Sequence, residues 1–591
     1  MRTRMAVARS RFVPPTEPIW PAMLVAAIVV GLAETILGYH LIHQHGLIDG
    51  DNYMRLVRIR DGLRSGWFTH VVANDNAGMG TVVYWSHAID AVVLALRAPL
   101  LLALDDQNAL YVAGAIAAPL FAALLAAVLV WAPAPLVHRR WLWTAPAMML
   151  FSPALRTFGT LGDIHHHLPL ALMAVLAAAC AGRATAGRRD AGAWCGVCAA
   201  IAVWISPEAL PYVLMAMGAI GIAWCLRPAA TASALMACGT AFALATIATW
   251  LCDPPYGGWL SPEIDCVSIA YATLAALVCA AAWSLSLLGQ HIASVRVRFL
   301  CCVAAGATVI GAWLWLYPGI TQGLDGLVPP ADAQAFFGAI TEMRPMTMTV
   351  PDISMLLTGA AGTLLALGLA WRRRSALWAY AGACGLVVLA LAISHIRFEV
   401  YVEAIGALIL PVALEIASSP PRSPTRQSVF RLAIIAGCFL GPQLPAMASG
   451  SSGHSADIMG NCHVADIAPA LRQQSNAIVL TEINDAPEIL WRTPVRTVGS
   501  FYHRSIGAFI RARNAWRTGP SSSLPPAVLA TGATHILACE MNGRTPLVSD
   551  LPPATLQDRL DHHQVPSWLH EVAHSGGYYL YRIDGASPGG S

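Results

Sequence analysis

The chain has 591 residues, of which 56% are hydrophobic and 12% charged, with mean hydropathy +0.57 and a formal net charge of +3. A soluble globular chain carries roughly 25% charged residues, so a water-soluble globular protein is excluded. So small a net charge also argues against nucleic acid as a partner. What is left is a polytopic membrane protein, in which the placement of the ionisable residues matters more than their sum.

The N-terminus, "MRTRMAVARSRF", is basic and precedes an apolar run from about Trp20. That run exceeds a signal-peptide core and is long enough, at about 20 residues, to span a bilayer. It reads as an uncleaved first helix with its N-terminus in the cytoplasm. Further apolar runs centre on 108–132, 141–156, 168–181, 193–206, 209–226, 232–251, 267–288, 299–317, 352–371, 376–394, 400–416 and 430–447. Together they predict about 13 transmembrane helices. The stretch 88–104 contains Asp90 and Arg97 and is expected to be interfacial or re-entrant.

With 13 spans, "VHRR" (137–140), "RATAGRR" (183–189), "RVR" (296–298), "WRRR" (371–374) and "PPRSPTR" (420–426) all fall on the N-terminal side, as the positive-inside rule requires. Residues 41–107, 318–351 and everything after about 448 fall on the outer side. The expected domains are therefore a transmembrane unit, 1–447, and an outer unit, 448–591. In the latter, strand-like runs such as "AIVLTEI" (477–483) and "GYYLYRI" (577–583) alternate with helical ones, which reads as a small α/β domain. The last residues, "GASPGGS", read as unstructured. Most of the 14 cysteines lie in apolar runs and act as small hydrophobes. Cys252 and Cys266 flank one outer loop, and Cys462 and Cys539 sit in the tail. Disulfides are permitted there, but the sequence does not say whether either pair forms.

Four polar clusters fall on the outer face, where ionisable groups beside spans are expensive and often functional. In "LIDGDNYMRLVRIRDG" (47–62), Asp49 and Asp51 either ligate a hard divalent cation or cap the helix that follows. In "LGDIHHHLPL" (161–170), Asp163 and His165 offer mixed oxygen and nitrogen ligation, which suits Mn²⁺, whereas pure oxygen suits Mg²⁺. His166 and His167 read as support for these two or as a helix cap. In "GAITEMRPMTMTVPD" (338–352), Glu342 can complete an anionic site and Arg344 can bind an anion, within a loop long enough to be a lid. In "SHIRFEVY" (394–401), Arg397 is placed to bind a phosphate or to anchor the span at the interface. Glu208, in "WISPEALP" (204–211), reads as a helix cap or as a carboxylate lining the cavity at the same face.

The order and spacing of these clusters resemble the catalytic subunits of oligosaccharyltransferases, membrane glycosyltransferases of the GT-C type. "GDNY" is similar to that family's first acidic motif and "DIH" to its second. "AITEMRP" is similar to its fifth-loop glutamate motif, "RF" to its pyrophosphate-binding arginine, and "VVYWSHAI" (82–89) to the helix closing its first outer loop. The family's Trp-Trp-Asp acceptor signature is missing; "EINDAP" stands in its place. The resemblance implies a GT-C fold of 13 spans and an outer domain. It also implies a divalent cation, Mg²⁺ or Mn²⁺, held by Asp51, Asp163, His165 and Glu342, the three carboxylates being catalytic. Arg397 would bind the donor phosphate, and Asp485, Tyr502 and His503 are candidate acceptor contacts. The expected reaction is transfer of a sugar or oligosaccharide from a polyprenyl-(pyro)phosphate donor to a protein, glycan or lipid acceptor. It would take place on the periplasmic or extracellular face of a bacterial inner membrane. The alternatives are a polyprenyl-monophosphate-dependent transferase, of the mannosyl or aminoarabinosyl kind, and a non-enzymatic transporter.

Overall fold

A computed structural model describes residues 18–66, 68–289, 291–338, 340–347, 350–418, 423–443, 462–540 and 554–585. The basic N-terminus, the 448 boundary and the "GASPGGS" tail lie outside the described residues or at their edge. Among the described residues, nine helices are long and apolar enough to cross a membrane, and each coincides with one of the thirteen predicted runs. The other four runs differ in instructive ways. Arg189–Ile205 and Pro424–Leu440 are helices of 17 residues, and Val350–Arg373 is a helix of 24 whose side chains are only partly described. The run 141–156 is not one helix: it breaks into Arg139–Trp141, Thr144–Met149 and Pro153–Thr157. Pro153 lacks the N–H a continuing helix needs and disfavours helical backbone at Ser152, which is extended.

The first span, Trp20–His43, turns Trp20, Leu24, Ile28, Leu32 and Ile36 outward, as a lipid-facing surface would. It leads into the first outer segment, built on the helix Gly50–Ser65. Asp49 caps that helix by accepting from the Asn52 amide at 3.2 Å, and Gly66 ends it with φ +82°, a conformation that favours glycine. A short antiparallel pair follows, β1 (Val71–Val72) with β2 (Thr81–Val82), and then the helix Ala88–Leu100. Asp90 does not face lipid. It is buried and ion-paired with Arg55 at 3.0 Å and Arg58 at 2.5 Å, which tie the two helices together.

The tail is a mixed five-stranded sheet flanked by helices. The strands β3 (Ile478–Leu480), β4 (Arg496–Thr497), β5 (His535–Cys539), β6 (Leu569–Ser575) and β7 (Tyr578–Ile583) lie in the order β4-β3-β5-β7-β6. β3 pairs parallel with β4 and β5, while β7 pairs antiparallel with β5 and β6. β3 and β5 are wholly buried, and their runs are almost entirely apolar. A disulfide joins Cys462 to Cys539, whereas Cys252 and Cys266 are free.

The tail packs directly on the outer segment. Leu490, Trp491 and Tyr502 belong to the same apolar core as Tyr53, Leu56, Trp85 and Ile164. Gly50 marks the closest approach: a Cβ there would stand 2.8 Å from the Asn484 carbonyl. The "EINDAP" segment thus lies against the start of the Gly50–Ser65 helix.

Candidate functional site

The four polar clusters do not stand alone. Asp163 is buried; its Oδ1 accepts from the His165 amide at 2.8 Å and meets the ring Nδ1 at 2.5 Å. That fixes the imidazole so that Nε2 faces the Gly50–Ser65 helix, 3.3 Å from Asp49 Oδ2 and 3.8 Å from Asp51 Oδ2. Asn52 locks the two segments together by accepting from the Ile164 amide at 2.6 Å. Burial pushes the imidazole pKa down, but Asp163 and Asp49 override it and hold His165 well above the usual histidine range. Without a metal, protonated His165 stands among three carboxylates.

A second group adjoins it. The rings of His165 and His167 stack at 6.1 Å, and Phe158 packs on both. His167 Nε2 lies 3.2 Å from Glu342 Oε2, and its Nδ1 lies 3.6 Å from Glu208 Oε1. Arg397 is ion-paired with Glu208 and stands 4.0 Å from Glu342. Burial and the neighbouring His167 push His166 down to about 4, so it is neutral at neutral pH, and its Nε2 accepts from Arg397 at 3.4 Å.

The structure therefore places Asp51 and Asp163 each against His165, while Glu342 lies against His167, whose ring stacks on that of His165. Asp49 both caps its helix and faces His165. His166 sits at the start of its helix without capping it through the side chain; His166 and His167 instead join the two halves of the site. Glu208 is the residue the sequence reading undervalued. Ser206 caps the turn at 207–209, leaving the glutamate free to hold Arg397. Its only sequence signal was a carboxylate at the outer end of a span. Arg344 points elsewhere: it is exposed and donates to the Gly338 carbonyl at 3.0 Å. Asp485 lies inside the tail, accepting from Tyr578 at 2.7 Å, not at the site. Tyr502 donates to Asp51 Oδ1 at 2.7 Å. His503 meets Asp265 at 2.7 Å and packs on Tyr84.

Among the described residues three groups cluster their donor atoms closely enough for a cation: His70, His87 and Asp253; Glu263, Asp265 and Cys266; and, within this site, His166, His167 and Glu208. The donor atoms of His166, His167 and Glu208 lie within 4.8 Å of one another, and His167 Nδ1 is buried with no hydrogen-bond partner among the described residues. Arg397 already neutralises that group. Asp49, Asp51, Asp163 and His165 do not form such a group among the described residues, although three carboxylates gather around the His165 ring.

A cavity of about 210 Å³ adjoins the second group, lined by Arg397, Glu208, His166, Arg55, Tyr84 and Trp85 among others. An apolar cleft of about 240 Å³ lies deeper, walled by Ala171, Val175, Gly362, Val388, Ala404 and Tyr401 among others. Tyr401 connects the two, its hydroxyl 3.5 Å from Glu208 Oε1.

No protein-family model matches the chain, and no curated protein does. Solved structures do. The archaeal oligosaccharyltransferase AglB from Archaeoglobus fulgidus, in complex with an inhibitory peptide and a dolichol-phosphate, superposes with a TM-score of 0.67 at 12% identity, over 88% of this chain and 69% of that one. The fold is of the GT-C type. The same archaeal enzyme tethered to an acceptor peptide containing the NVT sequon gives a TM-score of 0.65 at 13% identity, over 90% and 72% of the two chains. Its complex with Zn and sulfate gives 0.61 at 12%, over 89% and 70%. At such identities the likeness is one of fold. In this GT-C chain the tail meets the acidic site where Tyr502 reaches Asp51.

Proposed function

We propose that this chain is a membrane glycosyltransferase that takes a sugar or oligosaccharide from a polyprenyl-phosphate or polyprenyl-pyrophosphate and passes it to an acceptor at the outer membrane face. The reading rests on one observation above all. An arginine and a neutral histidine line a polar cavity at the head of an apolar cleft, beside an acid-rich group. That is the layout a lipid-linked anion needs: apolar walls for the chain, a guanidinium for the phosphate, and acidic groups for the acceptor.

In this reading the isoprenoid lies in the cleft below Tyr401. Arg397, held by Glu208, makes charge-assisted bonds to the phosphate and stabilises the charge that develops as it leaves. Asp51, Asp163, His165 and Glu342 hold a divalent cation, Mg²⁺ or Mn²⁺, with Asp49 beside them. Such an ion orients an oxygen or nitrogen nucleophile and offsets carboxylate repulsion. Asp51, half-exposed, is placed to accept the acceptor's hydrogen bond or proton. The complexes of the archaeal enzyme with a dolichol-phosphate and with Zn and sulfate support a lipid phosphate and a metal in this fold. The acceptor stays at the level of class, because the segment replacing the Trp-Trp-Asp signature packs against Gly50. A transporter is disfavoured because the charges gather at one face and not at mid-membrane.

The test is donor consumption. Purified protein in detergent, given a polyprenyl-phosphate-linked sugar, Mn²⁺ and membrane extract as acceptor source, is expected to release the free lipid phosphate. Release equal to that of an Asp51→Ala/Asp163→Ala protein would overturn the reading.

A further inference from the structure

Asp51 has two carboxylate oxygens in different surroundings. Oδ2 faces His165 Nε2 at 3.8 Å, while Oδ1 accepts from the Tyr502 hydroxyl at 2.7 Å. Tyr502 belongs to the tail and Asp51 to the first outer helix. The tyrosine is 4% exposed, and its ring stands edge-on to Trp85 at 5.4 Å. Arg55 lies over the Trp85 ring at 4.7 Å, so the stack reaches back to the buried Arg55–Asp90 pair.

The segment that carries Tyr502 is pinned at both ends. The Thr497 hydroxyl donates to Asp75 Oδ1 at 2.8 Å, and Ser500 donates to the other oxygen of the same carboxylate. On the far side, His503 and Arg504 grip Asp265, and Arg504 also pairs with Glu263. The phenol is thus set by contacts to two separate segments, 41–107 and the loop that carries Glu263 and Asp265. A phenol held this firmly is an unusual donor to a half-exposed carboxylate, which water would satisfy without any such scaffold.

We propose that Tyr502 is a positioning residue for Asp51: by holding Oδ1 it leaves Oδ2 turned toward His165 and the acceptor, so that the tail domain completes the reaction centre. The proposal rests on the glycosyltransferase reading above and gives the tail a part in the chemistry. It predicts that the membrane unit with an undocked tail has a misaligned Asp51.

The experiment compares Tyr502→Phe with Arg504→Gln in the full-length chain. Phenylalanine keeps the ring and its packing on Trp85 and removes only the donor; Arg504→Gln loosens tail docking without touching Asp51. For Tyr502→Phe the expected result is a fall in kcat of about tenfold, as for loss of a hydrogen bond to a charged group. The apparent KM for the donor and the thermal midpoint should stay at wild-type values, while the Mn²⁺ concentration giving half-maximal rate rises. Arg504→Gln is expected to lower the thermal midpoint and to change rate and KM together. A Tyr502→Phe protein with wild-type kcat and Mn²⁺ dependence overturns the proposal while leaving the glycosyltransferase reading intact. Equal effects of the two variants on midpoint and kinetics reduce Tyr502 to a docking contact and overturn it too. A wild-type protein without donor turnover removes the reading on which it rests.

Discussion

Glu208 and Arg397 reach each other from the N-terminal ends of two different spans and form an ion pair in which each side chain is only 12% exposed. Their neighbours are His166, His167 and Glu342, so the guanidinium is held from several sides yet still lines the cavity. An arginine held this way is pre-set for an anion and does not have to be recruited from solvent. Arg397→Ala is expected to raise the apparent donor KM by about tenfold or more, the usual scale for one charge-assisted contact. Glu208→Gln should give a smaller rise, because the guanidinium stays but loses its hold. Donor titrations at saturating metal measure both; an unchanged KM for Arg397→Ala excludes the phosphate role.

Chelation provides the second test. Three carboxylates around His165 repel one another, and a divalent ion relieves that repulsion in a way one proton cannot match. Treatment with EDTA is expected to abolish donor turnover, and Mn²⁺ or Mg²⁺ to restore it. Asp51→Ala, Asp163→Ala and Glu342→Ala should each lower turnover by about a hundredfold or more, the size of several kcal/mol of charge stabilisation. Membrane insertion, read from detergent-extracted yield, should be unaffected. Full activity in the triple variant would rule out the metal centre.

Much of the site was legible because its residues break the rule of an apolar chain. Asp163 and His165 stand out between two spans, and Asp51 follows a span directly. Glu208 was not legible, since its role exists only where a second span delivers Arg397. Asp485 misled for the opposite reason. A carboxylate in a polar tail segment looks available until folding brings Tyr578 onto it. The fold followed hydropathy except where proline intervened, as at Pro153, where an apolar run became a chain of short helices. Tail docking was hidden altogether, because apolar contacts between distant segments leave no local pattern.

Gly50 gives that docking a direct probe. A Cβ at this position meets the Asn484 carbonyl at 2.8 Å, and backbone cannot step aside as a side-chain end can. Gly50→Ala is expected to push the 484–487 segment away and to cost about 1–3 kcal/mol, the range for overpacking. Faster proteolysis of the tail would reveal it; a cleavage rate equal to wild type would mean the helix start yields.

Asp90 tests the reading of 88–104 as a helix docked on the outer segment. Two guanidiniums share this one buried carboxylate. Asp90→Asn leaves them without a full counter-charge and is expected to cost about 3–5 kcal/mol, as for other broken buried pairs. A thermal midpoint within error of wild type would contradict the buried placement.

The grip of Arg504 and His503 on Asp265 makes tail docking sensitive to acid, with a definite sign. Burial alone would raise the Asp265 pKa. The hydrogen bonds from His503 and Arg504 and the charge of Arg504 outweigh it and hold the group at about 2, below its ordinary 3.8. A carboxyl whose folded value lies below its unfolded value contributes stability that is fully present above the unfolded value and fades as pH falls toward the folded one. The contribution here is about 2 kcal/mol, at 1.36 kcal/mol per unit. It is complete at pH 5 and above and disappears between about pH 4 and pH 2. Asp265→Asn should therefore lower the threshold for tail release at pH 6. The gap to wild type should shrink as the pH falls below 4. The denaturant concentration that releases the tail, followed by tryptophan fluorescence at each pH across that range, measures it. A gap that stays constant from pH 6 to pH 2 would show that Asp265 holds the tail through shape and not through its charge.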